Sequence, residues 1–308
     1  MGLLPLLFVA LIAATSALAD TPACPNIDNP LFEPRFESVG VGIIPRYVVP
    51  TVAQDRAGFL WIATGDGLVR FDGYRFRPQE RKTADPAARN LGWIRALLAG
   101  RDGRLWIGTE SDGLTVYDPA SETVTSFTGG SNDNGGVMPT IRALVEDSAG
   151  GIWVGSEGGG LDRFDPRSGS FSHHRQSTQP GGLPDDRVQA LLIDRQGTLW
   201  VGTWAGLSRR QPGSDHFEPV FSGKTARGGA SLAGRIVQAL FEASDGRIWV
   251  GTQQGDLAVV DPATATGQLL EQAPGVANRG AVSSLVEAGG QMWVGRSSGI
   301  ELYDPRRG

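Results

Sequence analysis

One short phrase occurs six times in this chain: Trp, then Ile or Val, then Gly or Ala, then Thr, Ser or Arg. The copies begin at Trp61, Trp106, Trp153, Trp200, Trp249 and Trp293, so they lie 45, 47, 47, 49 and 44 residues apart. Short β-type runs repeated at that period are the mark of a β-propeller, in which no unit can bury its apolar face alone and neighbours must do it for one another.

The third copy shows the unit. Residues 141–146, 152–156, 161–165 and 170–174 are β-type runs, separated by turns rich in Asp, Gly and Pro. That predicts a four-stranded antiparallel blade. Recurring positions have structural explanations. Asp147 can accept hydrogen bonds from its own turn and Gly150 can take positive φ. Trp153 offers a flat face to the next blade, and Gly155 permits close backbone approach. Pro166 ends a strand, as Pro119, Pro262 and Pro305 do elsewhere.

The sixth copy stops short of a fourth strand, while residues 31–38 form an orphan β-type run whose Phe36 parallels Phe76, Phe127, Phe171 and Phe217. The expected fold is therefore all-β, a propeller of four-stranded antiparallel blades, six in number and closed by an N-terminal strand that removes both open edges. The alternative is a fragment of a seven-bladed or larger propeller. The expected division is a signal peptide at 1–19, a flexible segment at 20–30 and the propeller at 31–308. The signal-peptide expectation rests on the apolar run Leu3–Leu18 and the small-x-small triplet Ala17-Leu18-Ala19. It places the protein in the periplasm. Cys24, the one cysteine, cannot form an internal disulfide.

Acids outnumber Lys and Arg by 33 to 28, and the net charge is −5, which argues against nucleic acid as a partner. His173 and His174 would alternate to opposite faces of one strand, a poor arrangement for a shared metal. Gly158-Gly159-Gly160 leads into no helix, so it is not a phosphate cradle. Neither metal nor cofactor is expected.

The consecutive stretches Val188–Leu191, Asp194, Gly197 and Leu199–Thr203, together with Ile141–Pro166, resemble the two-component regulator propeller repeat. Gln54–Thr64 and Gly67–Gly73 look like a first repeat of that family. Ala63 in place of Gly, Arg296 in place of Thr and the missing Asp-Pro at Arg210-Gln211-Pro212 depart from the pattern. The resemblance implies a periplasmic, non-catalytic ligand-binding sensor, the input module of a two-component or cyclic-di-GMP system. Some members respond to carbohydrates. The implied partners are a small molecule or glycan and a membrane-bound signalling protein or a missing C-terminal output domain, with a homodimer as one arrangement. Two other readings stay open: a lyase or glycoside hydrolase using rim carboxylates such as Asp112 and Glu157, and a periplasmic protein-interaction scaffold.

Function belongs where the repeats differ. The loops joining strands two and three, with the blade linkers beside them, put Arg46, Trp93, Arg95, Glu110, Asp112, Arg142, Glu157, Arg187, Trp204, Arg235 and Gln253 at one end of the central channel. Trp93 and Trp204 fall outside the Trp register of the repeat; each can stack on a ligand or cover a neighbouring blade. The arginines can receive a ligand's oxygens by forked hydrogen bonds, or pair with Glu110, Asp112 and Glu157 and merely solvate the rim.

Overall fold

The computed structural model describes residues 40, 42–44, 48–79, 91–127, 138–222, 231–270 and 280–304. These form six antiparallel sheets and no helix. The first blade is β1 (Val52–Gln54), β2 (Leu60–Thr64), β3 (Gly67–Phe71) and β4 (Phe76–Gln79); the second is β5 (Ile94–Ala99), β6 (Leu105–Thr109), β7 (Leu114–Asp118) and β8 (Thr123–Phe127). The third is β9 (Ile141–Glu146), β10 (Ile152–Ser156), β11 (Leu161–Asp165) and β12 (Ser170–His174). The fourth is β13 (Val188–Ile193), β14 (Leu199–Thr203), β15 (Gly206–Arg210) and β16 (Glu218–Val220). The fifth is β17 (Val237–Glu242), β18 (Ile248–Thr252), β19 (Leu257–Val260) and β20 (Gly267–Leu269). The sixth has three strands among the described residues, β21 (Val282–Ala288), β22 (Gln291–Arg296) and β23 (Gly299–Tyr303).

Strands pair in chain order within every sheet, and the first strands β1, β5, β9, β13, β17 and β21 contact one another in succession. The sheets are thus blades of a β-propeller whose innermost strands line a common axis. The expected closing strand, residues 31–38, lies outside the described residues, as do the expected signal peptide and Cys24.

Each of the first five blades has a trailing face centred on its tryptophan and packs it onto a leading face of aliphatics from the next. Trp106 and Leu114 meet Ile141, Ile152 and Val154; Trp153 and Leu161 meet Val188, Leu199 and Val201; Trp249 and Leu257 meet Val282, Met292 and Val294. The glycine two residues after the tryptophan makes this possible. A Cβ on Gly155 would stand 2.6 Å from Val188 Cγ1, and one on Gly251 2.3 Å from Val282 Cγ1, so any larger residue would drive the blades apart. Ala63 fills this position in the first blade and is itself buried against the second.

The turn aspartate anchors the tryptophan from beneath. Asp194 accepts the amides of Gln196 (3.0 Å) and Thr198 (2.8 Å) on Oδ1 and the indole N–H of Trp200 (2.8 Å) on Oδ2. Asp55 and Asp147 repeat the arrangement with Trp61 and Trp153. The fifth blade has Ala243 at this position, in the same turn, and Trp249 Nε1 is buried with no partner. A buried donor left unpaired costs about 1–3 kcal/mol. Arg296, where the other blades have Thr or Ser, is buried: its Nε donates to Glu301 of its own blade (2.7 Å), and its Nη1 reaches the Gly255 carbonyl of the fifth blade (2.8 Å).

Ala243→Asp is therefore expected to raise stability by about 1 kcal/mol, and Asp194→Ala to lower it by about 2 kcal/mol. Chemical denaturation of the two variants tests this; equal midpoints would remove the aspartate–indole bond from the account of the fold.

Candidate functional site

The end of the propeller that carries the strand two-to-three loops follows one rule in five blades. The first loop residue donates its backbone N–H to the carbonyl of a residue just ahead of, or leading into, the first strand: Glu110 to Trp93 (2.9 Å), Glu157 to Thr140 (3.0 Å), Trp204 to Arg187 (3.2 Å), Gln253 to Ile236 (2.8 Å) and Ser297 to Ala281 (3.0 Å). Two positions after that acceptor, the first strand bulges. The register skips one residue in each of these blades, at Arg95, Arg142, Gln189, Gln238 and Ser283. A bulge frees its side chain from the ladder and turns it toward the rim. Each blade thus presents three rim positions on a fixed backbone. They read Trp93/Arg95/Glu110, Thr140/Arg142/Glu157, Arg187/Gln189/Trp204, Ile236/Gln238/Gln253 and Ala281/Ser283/Ser297.

Charge and aromatic character collect on blades two to four. Arg95 pairs with Glu110, and Arg142 with Glu157. Arg187 forks onto Asp185, with Nε to Oδ1 at 2.8 Å and Nη2 to Oδ2 at 2.6 Å. That hydrogen bonding holds the Asp185 carboxyl below its ordinary value and raises Arg187. A guanidinium lies over each rim tryptophan: Arg95 is 4.9 Å from the Trp93 ring centre and Arg187 is 4.2 Å from that of Trp204. Glu157 and Arg187 form a β-bridge, and Gly158 and Gly160 donate to the Asp186 carbonyl, so the third and fourth blades are sewn together here. Three donors at this rim are buried and unpaired, namely Trp93 Nε1, Gln189 Nε2 and Trp204 Nε1.

Of the residues expected at the site, Trp93, Arg95, Glu110, Arg142, Glu157, Arg187, Trp204 and Gln253 occupy these rim positions. Arg235 stands beside them, paired with Asp256. Arg46 lies outside the described residues. Asp112, one of the acids that a rim arginine could take, is exposed; its amide bonds Thr109 Oγ1 (2.8 Å), and no arginine bridges it among the described residues. Its carboxylate lies beside Gly92, next to Trp93. The bulge residues Gln189 and Gln238 were missed, although the sequence held the signal: a polar residue stands between an aliphatic and a small residue in every first strand from the second blade on.

Two grooves among the described residues lie at the other end of the strands. One of about 750 Å³ runs between blades one and two beside Trp61 and Arg70. One of about 430 Å³ runs between blades three and four. In the second, His174 stacks on Trp153 with ring centres 5.5 Å apart, and burial followed by the nearby Arg210 holds it below its ordinary value. His173 takes the opposite face of β12 and bonds Asp162 (2.7 Å), as the alternation of the strand requires. Among the described residues no cluster of His, Cys, Asp or Glu is built to hold a metal, and no helix is long and apolar enough to cross a membrane.

The family model described as "Two component regulator propeller" matches residues 90–111, 138–158, 182–205 and 231–254. These four segments are similar to the two-component regulator propeller repeat. Each match spans the rim and the tryptophan seam of one blade, so the departures at Ala63 and Arg296 fall in the two blades without a match. Among solved structures, the extracellular domain of the hybrid two component system BT3049 from B. thetaiotaomicron is 22% identical, with a TM-score of 0.66 over 83% of this chain and 33% of that one. The extracellular domain of the one component system BT4673 from the same organism is 21% identical, with a TM-score of 0.63 over 84% of this chain and 33% of that one. The chain thus spans about one third of the length of these domains. Virginiamycin B lyase from Staphylococcus aureus, at 11% identity, shares the fold with a TM-score of 0.58 over 82% of each chain. No curated protein matches the sequence.

Because Asp185 is held below 3.8 by Arg187, their fork is intact above that pH and is lost as pH falls through the lowered value. The difference in tryptophan fluorescence between the protein and Trp204→Phe is expected to stay flat from pH 7 to about 4 and to change only in stronger acid. A transition between pH 5 and 7 would contradict the assignment.

Proposed function

We propose that this propeller is the ligand-binding input module of an extracytoplasmic signalling system, with its site on the rim of blades two to four. The observation that carries this reading is the row Trp93, Arg95, Glu110, Arg142, Glu157, Arg187 and Trp204. Guanidiniums and carboxylates alternate along it, and a tryptophan stands at each end under an arginine. Paired charges of this kind give donors and acceptors in fixed alternation with little net field, which suits a polar, hydroxyl-bearing small molecule or glycan better than a bare ion. The unpaired N–H groups of Trp93, Gln189 and Trp204 favour ligand oxygens as acceptors. The guanidiniums lie over both indoles, so binding that lifts them uncovers aromatic faces for stacking.

The reading is non-catalytic. Glu110 and Glu157 are each held by an arginine, which leaves neither as a free general acid or base. The likeness to extracellular domains of signalling systems supports a place outside the cytoplasm, reached through cleavage of a signal peptide at 1–19. A membrane-bound partner or an output domain would read the bound state, with dimerisation of the propeller as one means.

Calorimetric titration of the full chain against a panel of oligosaccharides and small polar metabolites tests the site. Trp204→Ala and Arg142→Ala are each expected to weaken binding of any hit by tenfold or more, about 1.4 kcal/mol, with an unchanged circular dichroism spectrum. Unaltered affinity in both variants would move the site elsewhere. Turnover of a bound compound would replace the sensor reading with an enzymatic one.

A further inference from the structure

A second set of contacts closes three of the seams at the end opposite the rim. The second residue of the turn between strands one and two donates its backbone N–H to a glutamate at the sixth position of the next blade's first strand. Arg101 reaches Glu146 at 2.8 Å, Arg195 reaches Glu242 at 2.9 Å and Ser244 reaches Glu287 at 2.6 Å. The side chain adds a second contact to the same carboxylate. Arg101 Nε and Arg195 Nε each lie 3.1 Å from its other oxygen, and Ser244 Oγ donates to it at 2.6 Å. Two seams lack the glutamate: Ala99 stands in its place between blades one and two, and Ile193 between blades three and four. The grooves of about 750 and 430 Å³ open at these same two seams.

At the first of them, two guanidiniums are left without an acid. Arg56 holds the turn position of Arg101 and Arg195, yet neither its backbone N–H nor its side chain has a partner among the described residues. Arg70 stands across from Trp61 as Arg163 stands across from Trp153 and Arg209 across from Trp200. Arg163 is taken by Asp147 (2.7 Å) and Arg209 by Glu218 (3.1 Å). Arg70 instead lies over aromatic faces, 4.7 Å from the ring centre of Phe59 and 5.9 Å from that of Trp61, and its Nε is buried and unpaired. The aspartates of this groove are already engaged. Asp55 accepts the amides of Ala57 and Phe59 and the Trp61 indole, Asp102 holds Arg104, and Asp118 accepts the amide of Ala120. The groove between blades three and four differs, because Arg163 and Arg210 there are paired with Asp147 and Asp215.

We propose that the groove between blades one and two is a binding site for a carboxylate-bearing small molecule, whose carboxylate takes the place that Glu146, Glu242 and Glu287 fill in the other seams. Arg56 offers the same backbone N–H and guanidinium that Arg101 and Arg195 use, a pairing that charge assistance strengthens. Arg70 offers a second guanidinium, and an acceptor at its buried Nε removes the cost of leaving that donor unpaired. Asp55 beside Arg56 is no obstacle, since Asp194 adjoins Arg195 and Glu242 is held all the same. A groove of about 750 Å³ has the size of a small-molecule site, and Phe59 gives the rest of the ligand an apolar wall.

The test titrates the full chain with succinate and benzoate, and with the neutral amides succinamide and benzamide, by ligand-observed NMR. At least one carboxylate is expected to saturate with a Kd of about 10 mM or tighter, and its amide to bind at least about tenfold more weakly. Arg56→Ala and Arg70→Ala are each expected to weaken the carboxylate about tenfold. Ala99→Glu is expected to abolish its binding, because the added carboxylate occupies Arg56 as Glu146 occupies Arg101. Arg142→Ala at the rim is expected to leave it unchanged, so this site and the rim site stand or fall separately. Should Ala99→Glu disturb the circular dichroism spectrum, the exposed Arg56→Ala decides. The proposal is overturned if neither carboxylate saturates with a Kd below about 10 mM, if the amides bind as tightly, or if binding is undiminished in Arg56→Ala or in a folded Ala99→Glu. Loss of binding in Arg142→Ala would move the carboxylate to the rim and overturn it as well.

Discussion

The contact on which everything else rests is the tryptophan of one blade laid against the aliphatic triad of the next, across a glycine. It is repeated in five seams with the same three strand positions, Ala63 standing for the glycine in the first, and it fixes the angle between blades because that small residue sets how closely two backbones approach. A propeller built this way has no single central core. Its apolar clusters are the seams themselves, each made of residues from two neighbouring sheets. Stability is then close to a sum of nearest-neighbour terms, as in other repeat architectures. One poorly made seam weakens its own pair of blades more than the whole ring.

That rigidity permits the variability of the rim. The backbone bond from the first loop residue to the carbonyl at the start of strand one recurs in five blades, whatever side chains those residues carry. The Thr or Ser hydroxyl before the loop closes the turn as well, for instance Thr203 Oγ1 to the Gly206 carbonyl at 3.0 Å. With the main chain satisfied by itself, Trp, Glu, Gln and Ser can exchange at one position without disturbing the fold. This explains why blades two to four can concentrate charge and aromatic rings while blades five and six offer amides and hydroxyls on the same scaffold.

Much of this was legible in the sequence. Trp153, Gly155, Asp147 and Pro166 announced a blade because each does a job that few residues can do, and the strands of the third blade fall where its β-type runs lie. The rim was legible as a set of positions but not as a set of partners. Arg95 and Arg142 take the glutamate of their own loop, as chain direction suggests. Arg187 instead forks onto Asp185 two residues back, because its loop carries Trp204 where the others carry Glu. The bulges were not read because alternation counts strand residues in twos, and a skipped residue appears only when the partner strand is known. Arg296 broke the pattern at a seam, and only the structure shows its guanidinium crossing to Gly255.

The placement of the charged row has a mechanical consequence for the proposed sensor. Glu157 belongs to the third blade and Arg187 leads into the fourth, yet their backbones are bridged and both Gly158 and Gly160 hold the Asp186 carbonyl. A ligand that engages Arg142, Glu157 and Arg187 together acts on a seam, not on one sheet. If it draws Arg187 away from Trp204, the Asp185 fork and the linker that carries it must readjust. That linker also bonds the far side of the fourth blade, where Phe217 N–H donates to the Gly181 carbonyl at 2.9 Å. The rim is thus tied to the outer edge of the propeller through residues 175–187, by hydrogen bonds and by Leu183 packed with Phe217 in the seam. Such a chain couples two places only if its members have two arrangements that the ligand distinguishes. In the proposed sensor the stacked Arg187 would offer that choice: over the Trp204 indole, where it lies here, or turned to a ligand's oxygens.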